Sequence, residues 1–187
     1  MDDRHRRACA KPDRAVTAKI RNAVDADADR LARLGAETFI ATFGHLYAAK
    51  DLNAFLAKNH TVDVYRSLLA DPEFMVWIAE TDAGEAVGYA VAGPSSLPVS
   101  DPGPHSGELA RLYLTKEAQG AGLGARLLEV ALEFLRDRFE RIYLSVYAEN
   151  AHAQRLYRRY GFVKIRDYFY KVGDHLDPEW IMELKPA

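Results

Sequence analysis

The sequence has little of what would assign a protein to several common classes. Its 187 residues include a single cysteine, Cys9, which excludes an internal disulfide framework and a cysteine-based zinc site. No apolar run approaches the roughly 20 residues that a membrane-spanning helix needs. The net charge is only −2, unlike the strongly basic profile of a nucleic-acid binder. We therefore expect no membrane partner, no nucleic-acid partner and a reducing, cytoplasmic location.

Two further absences argue against a secreted protein and against a metal-binding protein. The start Met1-Asp2-Asp3-Arg4 is not followed by an apolar segment, so we expect no secretory signal. The six histidines show no spacing typical of metal ligands, so no metal is expected.

What is present predicts one domain behind a short tail. Hydrophobic residues make up 49% of the chain and charged residues 28%, as in ordinary soluble domains. Residues 1–15 are polar, basic and without periodicity, and we interpret them as a flexible N-terminal tail. Residues 16–187 are predicted to form a single domain. From residue 22 onward, 18 Lys and Arg stand against 24 Asp and Glu, and this net charge of −6 suits a cationic partner.

Hydrophobic periodicity predicts the order β-α-α-β-β-loop-β-α-β-α-β-β. The second helical region is predicted to break near Asn59-His60, and the segment 93–107, with four prolines, is predicted to be a loop. This succession indicates an α/β (α+β) domain with a mixed sheet and helices on both faces. The predicted strands are 16–23, 74–79, 87–92, 108–115, 141–149, 162–171 and 179–184.

A glycine cluster, Gln119-Gly120-Ala121-Gly122-Leu123-Gly124, lies between a predicted strand and a predicted helix. Backbone N–H groups at a helix start bind anions, and glycine lets the backbone approach a pyrophosphate closely. One interpretation is a dinucleotide, because residues 120–125 fit G-x-G-x-x-A. However, five residues separate the first glycine from the strand, and no acid follows at the expected distance. The other interpretation is coenzyme A.

Two blocks carry a resemblance to a known family. The stretch 108–114 followed by Gln119-x-x-Gly122-x-Gly124 resembles the acetyl-CoA motif of the GNAT acetyltransferases. The stretch from Asn150 to Phe162, with Tyr157 and Gly161-Phe162, is similar to the second GNAT block. The resemblance covers roughly residues 17–185. It implies the GNAT fold, a mixed, mostly antiparallel sheet of six to seven strands with helices on both faces, and a family in which homodimers are common.

The resemblance also implies a cosubstrate, acetyl-CoA, and residues that hold it. Backbone N–H groups of the glycine turn would take the pyrophosphate, and the backbones of two strand leucines would pair with the pantetheine arm. The N–H group of Leu112 would stabilise the oxyanion. The implied contacts are Leu112, Leu114, Gln119, Gly120, Ala121, Gly122, Leu123, Gly124, Ala125 and Asn150.

Two catalytic roles follow from the same resemblance. Glu108 lies where several GNAT enzymes carry a glutamate that takes the proton of the amine, directly or through a water. The alternative is that Glu108 only begins a strand. Tyr157 matches the tyrosine that protonates the departing thiolate, and its alternative is a half-buried core residue.

The flanking segments resemble the bacterial spermidine/spermine N-acetyltransferases within GNAT, through 37–43 and the aromatic residues near Tyr168 and Tyr170. A small cationic amine, with a polyamine foremost, is therefore the predicted acceptor. Other acceptors stay open: an antibiotic amine, an amino acid or a protein N-terminus. A non-catalytic acetyl-CoA sensor is the alternative from another class.

Overall fold

The computed structural model describes residues 17–186. The predicted tail 1–15, with Cys9, lies outside these residues. The described chain forms a seven-stranded sheet in the order β1-β2-β3-β4-β5-β7-β6. The strands are β1 (Ala18–Asn22), β2 (Met75–Thr81), β3 (Ala86–Pro94), β4 (Ser106–Leu114), β5 (Arg141–Tyr147), β6 (Phe162–Val172) and β7 (His175–Leu184). Within 17–186 every neighbouring pair is antiparallel except β4 with β5.

Five α-helices in the described chain connect these strands. They are α1 (Ala28–Phe43), α2 (Ala49–Asn59), α3 (Val62–Ala70), α4 (Leu123–Arg138) and α5 (Ala151–Arg159). None of the described helices is long and apolar enough to span a membrane.

The helices cover both faces of the sheet because each buries one apolar stripe. On α4, the stripe of Leu127, Leu128, Ala131, Leu132 and Leu135 has i, i+3, i+4 spacing and packs on one face. A second core forms on the other face, where α1 and α3 pack on β2 and β3; it includes Leu31, Leu34, Tyr65, Ile78 and Tyr89. The predicted fold class, a mixed and mostly antiparallel GNAT-type sheet with helices on both faces, is confirmed.

An ionic network joins β1 to the start of α1. The carboxylate of Asp27 is buried and accepts two bonds from the Arg21 guanidinium, at 2.6 and 2.8 Å. Arg30 adds a contact at 3.2 Å, and the Val24 N–H group donates to the same carboxylate at 2.9 Å. Hydrogen bonding from Arg21 is the main reason why the pKa of Asp27 is lowered to about 2.

The boundaries differ from the sequence-based prediction in the segments that later border the cleft. β3 runs to Pro94 and β4 begins at Ser106, so the proline-rich loop shortens to residues 95–105. β7 begins at His175 rather than at residue 179, because the two strands of the last hairpin pair up to Val172↔His175. The predicted break at 59–60 is present, and Thr61 starts α3 by accepting the N–H group of Val64 at 3.3 Å.

Candidate active site

The sheet opens between β4 and β5. Their parallel pairing covers only Ser106↔Arg141, Gly107↔Ile142 and Glu108↔Tyr143. On the other side of β4 the register shifts between Arg111 and Leu109, which leaves Ala110 as an extra, solvent-exposed residue in a β-bulge. From Arg111 to Leu114, β4 pairs with β3 alone, and its second edge offers backbone groups to a ligand.

The glycine turn lies directly after this free edge. Gly120 and Gly122 have φ values of +85° and +79°, a region that side chains disfavour. A β-carbon at either position would meet no atom within 4 Å, so the turn leaves space for a ligand. At Gly124 a β-carbon would lie 3.1 Å from the Leu114 side chain. The absence of a side chain at this position therefore lets α4 approach β4 closely.

The start of α4 can hold an anion. The hydrogen bond from Arg126 N–H to Gly122 O, 3.2 Å long, opens the helical ladder. The preceding N–H groups, from Leu123 to Ala125, have no place in that ladder, and the helix dipole favours negative charge beside them. The first turn of α4 has no acidic residue to compete for them. These features fit a pyrophosphate.

A cleft of about 1210 Å³ gathers most of the predicted site residues. Two of them do not line it: Ala121 is exposed, and the side chain of Leu123 is buried in the core. These two residues can therefore contact a ligand only through their backbone groups. The predicted residues that line the cleft are Glu108, Leu112, Leu114, Gln119, Gly120, Gly122, Gly124, Ala125, Asn150 and Tyr157.

Tyr157 lies on the inner face of α5 and borders the cleft. Its ring packs edge-on against Phe162 at 6.0 Å, and only 7% of the residue is exposed. Burial raises the pKa of the phenol, so the group keeps its proton at neutral pH. α5 is held in place by its own cap, because Asn150 Oδ1 accepts the N–H group of Ala153 at 3.1 Å.

Glu108 is buried where β4 and β5 begin to separate. Its Oε2 atom accepts the Ser96 N–H group at 2.9 Å, and the Ser95 and Ser96 hydroxyls lie at 3.4 and 3.5 Å. Burial raises the pKa of the carboxyl, against the effect of these donors. Glu108 therefore connects β4 to the first residues of the 95–105 loop.

Two more carboxylates on β7 border the cleft, and the sequence did not single them out. Asp177 is 4% exposed and accepts a hydrogen bond from the Tyr47 hydroxyl. Glu179, two residues further along β7, has its pKa raised to about 7, chiefly by burial and then by repulsion from Asp177 and Glu108. The sequence pattern that could identify these two carboxylates is the alternation of acidic residues at the start of the last strand, opposite the alternating Tyr168 and Tyr170.

Aromatic rings form the wall beside these carboxylates. Phe39 stacks on Phe55 at 4.4 Å and on Tyr47 at 5.9 Å, and Phe43 lies 5.3 Å from Phe39. Tyr170 meets Phe55 edge-on at 6.2 Å. We call this part the aromatic chamber: the rings of Phe39, Phe43, Tyr47, Phe55, Tyr168 and Tyr170 with the carboxylates of Glu108, Asp177 and Glu179.

One buried cation faces the same cleft. Arg111 donates from Nη2 to the carbonyl of Asn59, at the end of α2, at 3.1 Å. Its guanidinium lies 5.2 Å from the centre of the Tyr65 ring. Nη1 is buried and has no hydrogen-bond partner among residues 17–186. Next to it, His60 is neutral at physiological pH, because burial lowers its pKa to about 3.

Four side chains on α5 that carry positive charge or an imidazole also border the cleft, a placement that the sequence alone did not predict. They are His152, Arg155, Arg158 and Arg159. Among the described residues no group of three His, Cys, Asp or Glu side chains is arranged to hold a metal.

A mixed sheet that opens beside a glycine-rich helix start, with a buried phenol and carboxylates in the same cleft, is the architecture of an acyl-CoA-dependent transferase. A dinucleotide-binding enzyme would instead use a doubly wound parallel sheet, which this fold lacks in residues 17–186. The chain matches the acetyltransferase (GNAT) family over residues 38–162 and belongs to that family. It is therefore an N-acetyltransferase of the family that uses acetyl-CoA.

Individual relatives agree with this assignment. An uncharacterized N-acetyltransferase of Mycobacterium tuberculosis is 30% identical over 157 residues, which cover 83% of this chain and 96% of the relative. The spermine/spermidine N(1)-acetyltransferase of Bacillus subtilis is 37% identical over 83 residues, 42% of this chain and 53% of the relative. The fold is similar to that of the PaiA N-acetyltransferase of Thermoplasma acidophilum in complex with coenzyme A. That comparison gives a TM-score of 0.72 at 18% identity and covers 91% of this chain and 99% of the other.

Proposed function

We propose that this N-acetyltransferase transfers the acetyl group of acetyl-CoA to a small cationic primary amine, by direct attack while both substrates are bound. The observation that carries the proposal is the continuity of the cleft, which borders the glycine turn, the free edge of β4 and the aromatic chamber. The only cysteine in the sequence, Cys9, lies in the predicted N-terminal tail, which disfavours a covalent acyl-enzyme.

The acetyl-CoA half of the proposal rests on backbone groups. The N–H groups from Gly120 to Ala125 would hold the pyrophosphate, and this range includes Ala121 and Leu123, whose side chains are not needed. The free edge of β4 at Leu112 and Leu114 would pair with the pantetheine arm as an added strand does. The Leu112 N–H group would stabilise the oxyanion. The arginines of α5 would add positive charge near the phosphates.

The catalytic half uses a phenol and a carboxylate. Tyr157 would protonate the departing thiolate. A free thiol has a pKa near 8.5, below that of the phenol. The burial that raises the pKa of Tyr157 would also raise the pKa of the CoA thiol beside it, and this favours the transfer of the phenol proton to sulfur. A carboxylate of the chamber would take the proton of the ammonium group, directly or through a water. The family motif points to Glu108 for this role, and its negative charge would also draw the cation into the chamber.

The aromatic chamber supports a cationic acceptor. Three carboxylates border it, and aromatic faces attract ammonium groups while they pack against methylene spacers. The net charge of −6 from residue 22 onward favours the approach of cations. Together with the partial similarity to the Bacillus spermine/spermidine enzyme, these features make spermidine and spermine the leading candidates.

Arg111 supports a second candidate. A buried guanidinium with an unpartnered Nη1 suits an acceptor that carries a carboxylate, such as an amino acid or a peptide. Such an acceptor would place its carboxylate at Arg111 and its amine near the acidic side chains of the chamber.

The test is steady-state CoA release with spermidine, spermine, lysine, an aminoglycoside and a peptide N-terminus, at low and high salt. We expect the highest kcat/KM for the polyamines. Their KM should rise with salt, because salt screens the attraction between the acidic protein and the cationic amine. A higher value for lysine or the peptide, lost on Arg111→Ala, would establish the second candidate instead. Acetyl-CoA binding without turnover on any amine would indicate a sensor and overturn the proposed activity.

A further inference from the structure

Glu179 carries an oxygen that the described chain leaves without a donor. Its Oε2 atom is shielded from solvent and has no hydrogen-bond partner among residues 17–186, although the residue borders the cleft. It lies on β7 between Tyr147 of β5 and Tyr168 of β6 in the strand register. An unpartnered carboxylate oxygen in a buried position is costly, and a donor arriving with the substrate would remove that cost.

Glu108 is placed differently. Its Oε2 atom already accepts the Ser96 N–H group at 2.9 Å and faces two serine hydroxyls. These donors stabilise the charged carboxylate and partly offset the rise in pKa that burial causes. They also bind it to the 95–105 loop, so Glu108 is suited to shaping the chamber and supplying negative charge.

We propose that Glu179 is the proton acceptor for the amine, an inference that rests on the proposed acetyl transfer. The ammonium group of the acceptor loses one N–H proton to the Glu179 carboxylate, which becomes a carboxylic acid. The neutral nitrogen forms a bond to the acetyl carbon, and the carbon–sulfur bond breaks. The sulfur takes the Tyr157 proton, the nitrogen loses its second proton to restore the phenol, and Glu179 releases its proton to solvent.

The charged and titratable groups around Glu179 support this role. A pKa of about 7 leaves the carboxylate half ionised at neutral pH and basic enough to compete for a proton. Burial is the main cause, and the polar Ser145 side chain opposes it, although no hydrogen bond to Oε2 forms. The titratable groups that interact with it are Asp177 on β7, Glu108 and Tyr113 on β4, Tyr168 and Tyr170 on β6, and Tyr47 before α2.

The experiment compares Glu179→Gln with the wild type on the best amine of the panel. Glutamine keeps the shape and removes the base, so kcat/KM should fall about 10²–10⁴-fold. The affinity for CoA, measured by calorimetry, should stay the same. Glu183→Gln is the matched control: Glu183 lies on the same strand, pairs with Lys185 outside the cleft, and should keep wild-type kinetics.

The pH dependence separates a base from a structural residue. In the wild type, kcat/KM should fall below about pH 7, because protonated Glu179 cannot accept a proton. Glu179→Gln should lose this acid limb, whereas Glu108→Gln should retain it. Glu179→Asp should restore part of the activity together with the limb.

The outcomes distinguish the two levels of the proposal. A wild-type enzyme that releases no CoA with any amine would overturn the proposed function and the role of Glu179 with it. An active wild type combined with an active Glu179→Gln variant, or with no acid limb near pH 7, would overturn the role of Glu179 and leave the acetyltransferase in place.

Discussion

Replacing Gly122 by aspartate tests where the pyrophosphate binds. The position has φ +79°, and a β-carbon there would meet no atom within 4 Å, so the strain is confined to the backbone. Asparagine and aspartate tolerate this conformation better than other side chains do, at a cost of roughly 1–2 kcal/mol. Gly122→Asn carries the same strain without the charge and is therefore the matched control.

The expected difference between the two variants is electrostatic. A carboxylate about 6 Å from one phosphate charge costs about 1.4 kcal/mol at an effective dielectric constant of about 40, and about 2.8 kcal/mol at about 20. The aspartate variant should therefore bind CoA about 10- to 100-fold more weakly than the asparagine variant. Calorimetry at two salt concentrations measures this, and the gap should narrow at high salt.

Stability offers an internal check on this prediction. An acidic residue at a helix start interacts favourably with the dipole, by about 0.3–1 kcal/mol. Gly122→Asp should thus be at least as stable as Gly122→Asn, so misfolding would not explain its weaker binding. Equal affinities for CoA in the two variants would refute the assignment of the pyrophosphate to this turn.

Two other substitutions test separate parts of the molecule. Tyr157→Phe should lower kcat about 10²–10⁴-fold and leave acetyl-CoA affinity unchanged, because only the proton donor is lost; wild-type kcat would mean that Tyr157 only packs. Asp27→Asn should lower the free energy of unfolding by about 1–2 kcal/mol near pH 7, because Arg21 and Arg30 lose a charged partner. Since the pKa of Asp27 is lowered to about 2, its contribution is present above about pH 4 and lost as the pH falls toward 2. Urea titrations at pH 7 and pH 2.5 should show that gap closing, and a gap independent of pH would contradict the ionic explanation.

The sequence predicted the order of the elements well because its signals are local. The stripe on α4, the cap at Asn150 and the glycines before Leu123 are each readable within a few residues, and each is present in the structure. The opening between β4 and β5 was not readable in the same way. It depends on the extra residue Ala110 and on where parallel pairing stops, which are tertiary features.

The carboxylates of the cleft also have properties that the sequence alone could not predict. Glu108 was found because it belongs to a motif, but its bonds to Ser95 and Ser96 come from a loop whose path the sequence did not predict. Glu179 was read only as the start of a strand. Its significance lies in the Oε2 atom, which is shielded from solvent without a donor, and this placement between β5 and β6 is a tertiary feature.

The short parallel pairing of β4 with β5 has a consequence for the cooperativity of folding. Three register pairs join the four strands β1–β4 to the three strands β5–β7, and the leucines of α4 share one hydrophobic core with residues of both parts. A molecule that pairs along the free edge of β4 would add backbone bonds where the chain itself supplies none. At one hundred times its Kd, such a ligand stabilises the folded state by about 2.7 kcal/mol. Amide hydrogens of β4 and β5 would then exchange more slowly, and the two parts of the sheet would unfold together rather than one after the other.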